Sequence, residues 1–135
     1  MLSHKDNDAL TRVGPGTPMG ALMRRYWIPA AFSHQIAKPD GPPIRVKLMG
    51  ESLVLFRDSN GRIGLIDERC PHRTASMFFG RNEEAGLRCV YHGLKFDVDG
   101  NCVDAPCVPQ VGDKQLQKIR EQLRIKAYPC IERGD

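Results

Sequence analysis

Cys70-Pro71-His72 and Cys89-Val90-Tyr91-His92-Gly93 are the two stretches on which the reading of this chain turns. Together they spell C-x-H, sixteen residues, then C-x-x-H, so two thiols and two imidazoles are offered as two mixed pairs. Each pair falls between segments that read as β-strands. Few inorganic partners want that set. Zinc accepts two sulfurs and two nitrogens, but its usual knuckles pair cysteine with cysteine and histidine with histidine. A [2Fe–2S] cluster in which two histidines replace two thiolates on one iron takes one cysteine and one histidine from each of two loops. Both readings are open at this level.

Outward from the pairs the chain is organised in short strands. Ile44-Arg45-Val46-Lys47-Leu48 alternates apolar with basic, Met49-Gly50-Glu51 turns, and Leu53-Val54-Leu55-Phe56 follows. Asp58-Ser59-Asn60-Gly61 is a strong hairpin signal, because Asn-Gly accepts the positive φ that a tight turn demands, and Ile63-Gly64-Leu65-Ile66 returns. This predicts an antiparallel meander. Beyond the second pair, Leu94–Val98 alternates, Asp99-Gly100 turns and Asn101-Cys102-Val103 is its partner; residues 113–121 read as a helix and Leu123–Tyr128 as a late strand. Ahead of the strands, residues 4–13 fit a short helix stopped by Gly14-Pro15-Gly16. Thr17-Pro18, an N-cap followed by proline at the first helical position, opens a second helix to about Arg25. The fold class is therefore mainly β: a small antiparallel β-domain over 26–135 with both Cys–His loops, after an N-terminal helical extension over 1–25. The final Glu132-Arg133-Gly134-Asp135 reads as the start of a hairpin whose return strand is lacking.

A chain of 135 residues is room for one compact domain, able to bury roughly two-thirds of its unfolded surface. With 41% hydrophobic and 27% charged residues, it is neither disordered nor a membrane protein by composition. No apolar run approaches the ~20 residues of a membrane span, and Met1–Asp8 lacks the apolar stretch of a signal peptide, so a cytoplasmic setting is expected. The net charge of +4 is scattered, with Arg24-Arg25 the only adjacent basic pair and no aromatics interleaved, so neither nucleic acid nor membrane is an expected partner. Five cysteines, an odd number without an export signal, argue against a disulfide framework and for metal ligation. Cys102, Cys107 and Cys130 read as small buried hydrophobes, His4 and His34 as surface residues, and Tyr26, Trp27, Phe78 and Phe79 as core.

The pattern resembles the Rieske iron–sulfur domain, and Cys70-Pro71-His72-Arg73 with Cys89-Val90-Tyr91-His92-Gly93 is similar to its ring-hydroxylating oxygenase branch. Gly14-Pro15-Gly16-Thr17-Pro18-Met19-Gly20, Arg25-Tyr26-Trp27-Ile28-Pro29-Ala30 and Phe79-Gly80-Arg81-Asn82-Glu83-Glu84 resemble the phthalate 4,5-dioxygenase group of oxygenase subunits. The resemblance implies a Rieske β-domain with two cluster-binding loops, in which Cys70 and Cys89 hold the inner iron of a [2Fe–2S] cluster and His72 and His92 the outer. Arg73, Tyr91 and Gly93 would support those loops. It also implies a C-terminal domain with a mononuclear iron(II), absent from these residues, so no catalytic residue is named in this chain. In that setting the domain feeds electrons to the mononuclear iron of an aromatic-ring-hydroxylating, phthalate-type oxygenase. A flavin- or ferredoxin-type reductase supplies them, and subunits assemble head-to-tail as homotrimers or multiples of trimers. The alternative is a free-standing Rieske-type ferredoxin without a substrate; the extension of about 25 residues before Trp27 favours the oxygenase. A zinc-bound interaction module is a third, colourless possibility.

Mixed ligation has a charge logic. Two Fe(III), two sulfides and two thiolates with neutral imidazoles sum to zero, whereas four thiolates leave a net negative cluster, so adding an electron is easier in the mixed case. The resemblance says more about potential. Respiratory Rieske proteins add a disulfide between the loops and two hydroxyl donors to the cluster sulfurs; the matching positions here are Ala75 with Tyr91, and Leu94 with Phe96. Neither device is present, so the potential is expected near the lower Rieske limit, roughly −150 mV. Leu94 also stands where many oxygenase relatives carry tryptophan, and Thr74 where glycine is common.

Overall fold

The computed structural model describes residues 1–108 and 112–133. Two short helices, α1 (His4–Thr11) and α2 (Pro18–Met23), precede the strands. The strands are β1 (Ile44–Leu48), β2 (Glu51–Arg57), β3 (Ile63–Asp67), β4 (Arg81–Glu83), β5 (Gly86–Arg88), β6 (Lys95–Phe96) and β7 (Cys102–Asp104), and helix α3 (Asp113–Gln122) leads to β8 (Ala127–Tyr128). They form two antiparallel four-stranded sheets, ordered β1-β2-β3-β8 and β4-β5-β6-β7. The mainly β reading and the first meander hold. Thr17 caps α2 by accepting the Gly20 N–H at 3.1 Å, with Pro18 at the first helical position.

Local chemistry sets the register of the meander. Met49 and Gly50 both take positive φ, so a two-residue turn pairs Leu48 with Glu51 and begins β2 earlier than its apolar run suggests. At the next turn the buried Asp58 carboxylate accepts the N–H groups of Asn60 and Arg62 at 2.9 and 2.8 Å, and Gly61 takes φ +79°. β2 is covered on both faces. Leu53 and Leu55 pack with Ile36, Val46 and Leu65, while Val54 and Phe56 join a second core containing Ile66, Met77, Leu87, Leu94 and Phe96.

Several expectations are corrected. Tyr26, Trp27 and Phe79 are exposed, Trp27 to 65%. The first two lie in the irregular segment after α2, along a cleft with Leu48, Met49 and Tyr128. Phe79 packs edge-on against the half-buried Phe78, which carries the Arg45 guanidinium 4.0 Å above its ring. Cys107 is exposed and Cys130 half-buried; only Cys102 is fully buried as expected. The strand over Leu94–Val98 shrinks to Lys95–Phe96 because the β6–β7 register shifts there, and the late strand to Ala127–Tyr128. The hairpin of β4 and β5 is additional: Glu84 and Ala85 turn it with positive φ, without the Gly or Asn that marks such turns. The last two residues of the expected terminal hairpin, Gly134 and Asp135, lie outside the described residues.

The two Cys–His segments fold on one hydrogen-bond frame. In the first, between β3 and β4, the Cys70 N–H donates to the Ala75 carbonyl at 2.9 Å and the Cys70 carbonyl accepts the Thr74 N–H at 2.9 Å. In the second, between β5 and β6, the Cys89 N–H donates to the Leu94 carbonyl at 2.8 Å and the Cys89 carbonyl accepts the Gly93 N–H at 3.1 Å. The residue four after each cysteine, Thr74 or Gly93, has positive φ, +56° and +75°. Glycine suits that conformation; a β-branched residue is strained in it. Thr74 is therefore a β-branched residue at a position where the backbone asks for glycine.

Away from the loops, the buried Glu51 side chain ties the N-terminal extension to the β8 segment at one end of the first sheet. It accepts from Arg24 Nη2 at 2.7 Å and from the Tyr128 hydroxyl at 2.8 Å, and pairs with Lys126. Arg24 also donates to the carbonyls of Val13, Gly20 and Met49. Burial alone would raise the Glu51 pKa, but the bonds from Lys126, Arg24 and Tyr128 outweigh it and hold the group at about 2, below its ordinary 4.5.

Two outcomes are expected. Because the folded-state pKa of Glu51 is depressed, its contribution is complete above pH 4.5 and disappears as pH falls toward 2. Glu51→Gln should cost about 2 kcal/mol at neutral pH and flatten that acid limb, read from denaturation midpoints against pH; an unchanged limb contradicts the assignment. The twin loop positions should respond with opposite sign. Gly93→Ala meets both positive φ and the Pro106 Cγ, 2.8 Å from the added Cβ, and should cost on the order of 1–3 kcal/mol. Thr74→Gly should leave stability unchanged or raise it by up to about 1 kcal/mol in the same melts; equal losses in both would refute the shared frame.

Candidate metal centre

The frame brings the sequence-predicted ligands into two pairs, Cys70 with Cys89 in the interior and His72 with His92 further out. Cys70 and Cys89 are 2% and 3% exposed and belong to one apolar core with Met77, Leu87, Leu94 and Phe96. His72 is exposed and His92 half-exposed, with ring centroids 4.6 Å apart and planes inclined at 58°. The histidine is two residues after its cysteine in the first loop and three after it in the second, yet both rings meet at the same mouth.

Electrostatics divide the same way. Burial, with the neighbouring Cys89 thiol adding to it, pushes the Cys70 thiol up to about 11, while the backbone N–H groups of His72 and Arg73 act in the opposite sense by favouring its thiolate. A metal would have to displace a firmly held proton there, as thiolate ligation requires. Burial lowers the His92 pKa, and the nearby His72 and Arg73 lower it further, which keeps the imidazole neutral with a lone pair to give. Among the described residues no three His, Cys, Asp or Glu side chains gather around one point as a single ion needs. Paired thiols in the apolar core and paired, more exposed imidazoles suit a two-iron cluster with sulfur ligands on one iron and nitrogen ligands on the other.

The surrounding residues fall into place unequally. Tyr91 is exposed and lies against His92, ring centroids 3.9 Å apart at 37°, so it limits the tilt of that ring. Arg73 is exposed at the mouth. Gly93 closes the second loop with its positive φ. Leu94 and Phe96 are buried beside the thiols, without a hydroxyl to donate. His4 and His34 are on the surface, and Cys102 donates to its near neighbour's carbonyl, that of Asp104. Arg88 carries no motif signal and emerges only from the fold. Four-fifths buried, it donates from Nη1 to the Gly93 carbonyl at 2.7 Å and to Asp104 at 2.8 Å, and from Nε to Glu83 at 2.7 Å. Those acids pull its pKa upward. The sign that could have found it is a basic residue at a strand end between two acids, legible only once β4, β5 and β7 are known to be neighbours.

Comparison with known proteins agrees with this geometry. The chain is 51% identical over 128 residues to the 3-chlorobenzoate-3,4-dioxygenase oxygenase subunit of Comamonas testosteroni, covering 95% of this chain and 28% of that protein. It is 48% identical over 134 residues to the phthalate 4,5-dioxygenase oxygenase subunit of Pseudomonas putida, covering 99% of this chain and 29% of the relative. The crystal structure of dicamba monooxygenase bound to dicamba superposes with a TM-score of 0.68 at 28% identity, over 82% of this chain and 32% of that one. The chain thus spans less than a third of each. Residues 26–129 match the model of the Rieske [2Fe-2S] domain, and the chain belongs to that family.

Proposed function

We propose that this chain is the electron-entry domain of a Rieske non-haem iron oxygenase. The observation that carries the reading is the twin-loop arrangement, two buried thiols behind two outward imidazoles. Cys70 and Cys89 would hold the inner iron of the cluster, and His72 and His92 the outer. When bound, the cluster supplies a one-electron store. The chain's own residues do the rest: the apolar wall of Met77, Leu87, Leu94 and Phe96 excludes water from the thiols, and the exposed His72 edge offers a short path to a partner. Tyr91 would orient His92, and Arg73 would meet a docking protein through its charge. A low-dielectric wall without hydroxyl donors disfavours added negative charge, which supports a potential near the lower Rieske limit.

In the longer protein, residues 1–25 would be a helical extension and 26–135 the Rieske domain, followed by a domain with a mononuclear iron. The relatives named for 3-chlorobenzoate and phthalate support an aromatic acid as substrate. A flavin- or ferredoxin-type reductase would supply the electrons, and head-to-tail trimers would bring one subunit's imidazoles beside its neighbour's mononuclear iron. Among the described residues no helix is long and apolar enough to cross a membrane.

The test is the ratio of iron to acid-labile sulfide in protein purified from its native source. Three irons to two sulfides are expected, one beyond the cluster. Two to two would contradict the oxygenase reading and favour a carrier.

A further inference from the structure

We propose that Arg88 is the positioning residue of the Cys89–Gly93 loop, holding the Gly93 carbonyl so that Cys89 and His92 reach the cluster together. The inference rests on the ligand assignment above. The Arg88 guanidinium has three acceptors on three separate elements: Glu83 on β4, Asp104 on β7 and the Gly93 carbonyl in the loop. A planar fork fixed by a carboxylate on either side has its remaining N–H directions set. That direction decides where the loop closes, because the Gly93 N–H in turn donates to the Cys89 carbonyl. Pro106 crowds the same point, its Cγ 2.8 Å from where a Cβ on Gly93 would stand, so the loop end has little room to shift.

The first loop provides an internal contrast. Arg69 precedes Cys70 as Arg88 precedes Cys89, with the same charge at the same sequence distance. It is exposed, and among the described residues its guanidinium makes no bond to its loop. The base of that loop is tied by Glu68 instead, which accepts from Ser76 and Arg45. If proximity of positive charge were what mattered, the two arginines would be equivalent. If position matters, only Arg88 counts.

Arg88→Lys keeps the charge but replaces the planar fork that spans three separate elements with a compact ammonium, and Arg69→Lys is its control. In the holoprotein, Arg88→Lys should shift the midpoint potential and the EPR g-values of the reduced cluster, and release iron to a chelator about 10-fold faster. Arg69→Lys should leave all three unchanged. Asp104→Asn, which frees one side of the fork while keeping Arg88, should move the same observables in the same direction by less, and it decides the matter if Arg88→Lys does not fold. Wild-type potential and EPR in Arg88→Lys, or equal shifts in both lysine variants, would overturn the proposal. Cys89→Ser separates this proposal from the ligand assignment: loss of the cluster there beside an unchanged Arg88→Lys sinks the positioning role alone, whereas a wild-type Rieske spectrum in Cys89→Ser sinks both.

Discussion

Two thiols from loops nineteen residues apart must meet inside an apolar core, and the rest of the molecule answers to that requirement. A cysteine at the end of a strand supplies the sulfur, and a five-residue loop must then reverse the chain without leaving its backbone groups unpaired. Both loops solve this identically, with the cysteine N–H and carbonyl bonded to residues five and four further on and a left-handed residue at the fourth position. The frame leaves three residues in between to carry an imidazole outward. It tolerates different histidine offsets because both lie on the outward side of the reversal. Burial of the sulfurs and exposure of the nitrogens thus follow from one loop geometry used twice.

Much of this was legible in the sequence. Mixed Cys–His pairs narrow the partner to zinc or a [2Fe–2S] cluster, and the meander was visible because Asn60-Gly61 and the alternation of Ile44–Leu48 signal their own conformations. What stayed hidden has physical reasons. The β4–β5 hairpin turns on Glu84-Ala85, residues that seldom take positive φ, so the chain carries no local sign of the turn. Trp27 and Tyr26 are large and apolar, yet no strand carries them inward, and hydrophobicity alone does not say which face a loop presents. The role of Arg88 depends on acids brought beside it by pairing across three strands, and such pairing is non-local information.

Two ion-pair networks tie separate elements of the fold together. Glu51 joins Arg24, Lys126 and Tyr128 at one end of the first sheet, and Arg88 joins Glu83 and Asp104 in the second. Both centres are largely withdrawn from water, where an ion pair is well made only if every bond is satisfied. Such networks add less to net stability than apolar packing, but they specify one arrangement over its neighbours. At Glu51 the arrangement fixed is the seat of α2 on the strands; at Arg88 it is the mouth of the metal centre.

The central claim is that the four ligands divide by element between the two irons, sulfur on one and nitrogen on the other. Mössbauer spectroscopy of the oxidised, iron-57-enriched protein tests it most directly, since each iron reports its own ligands. Two quadrupole doublets of equal area with distinct isomer shifts are expected, one for an all-sulfur iron and one for an iron with two nitrogen ligands. A single doublet from two equivalent irons would contradict it.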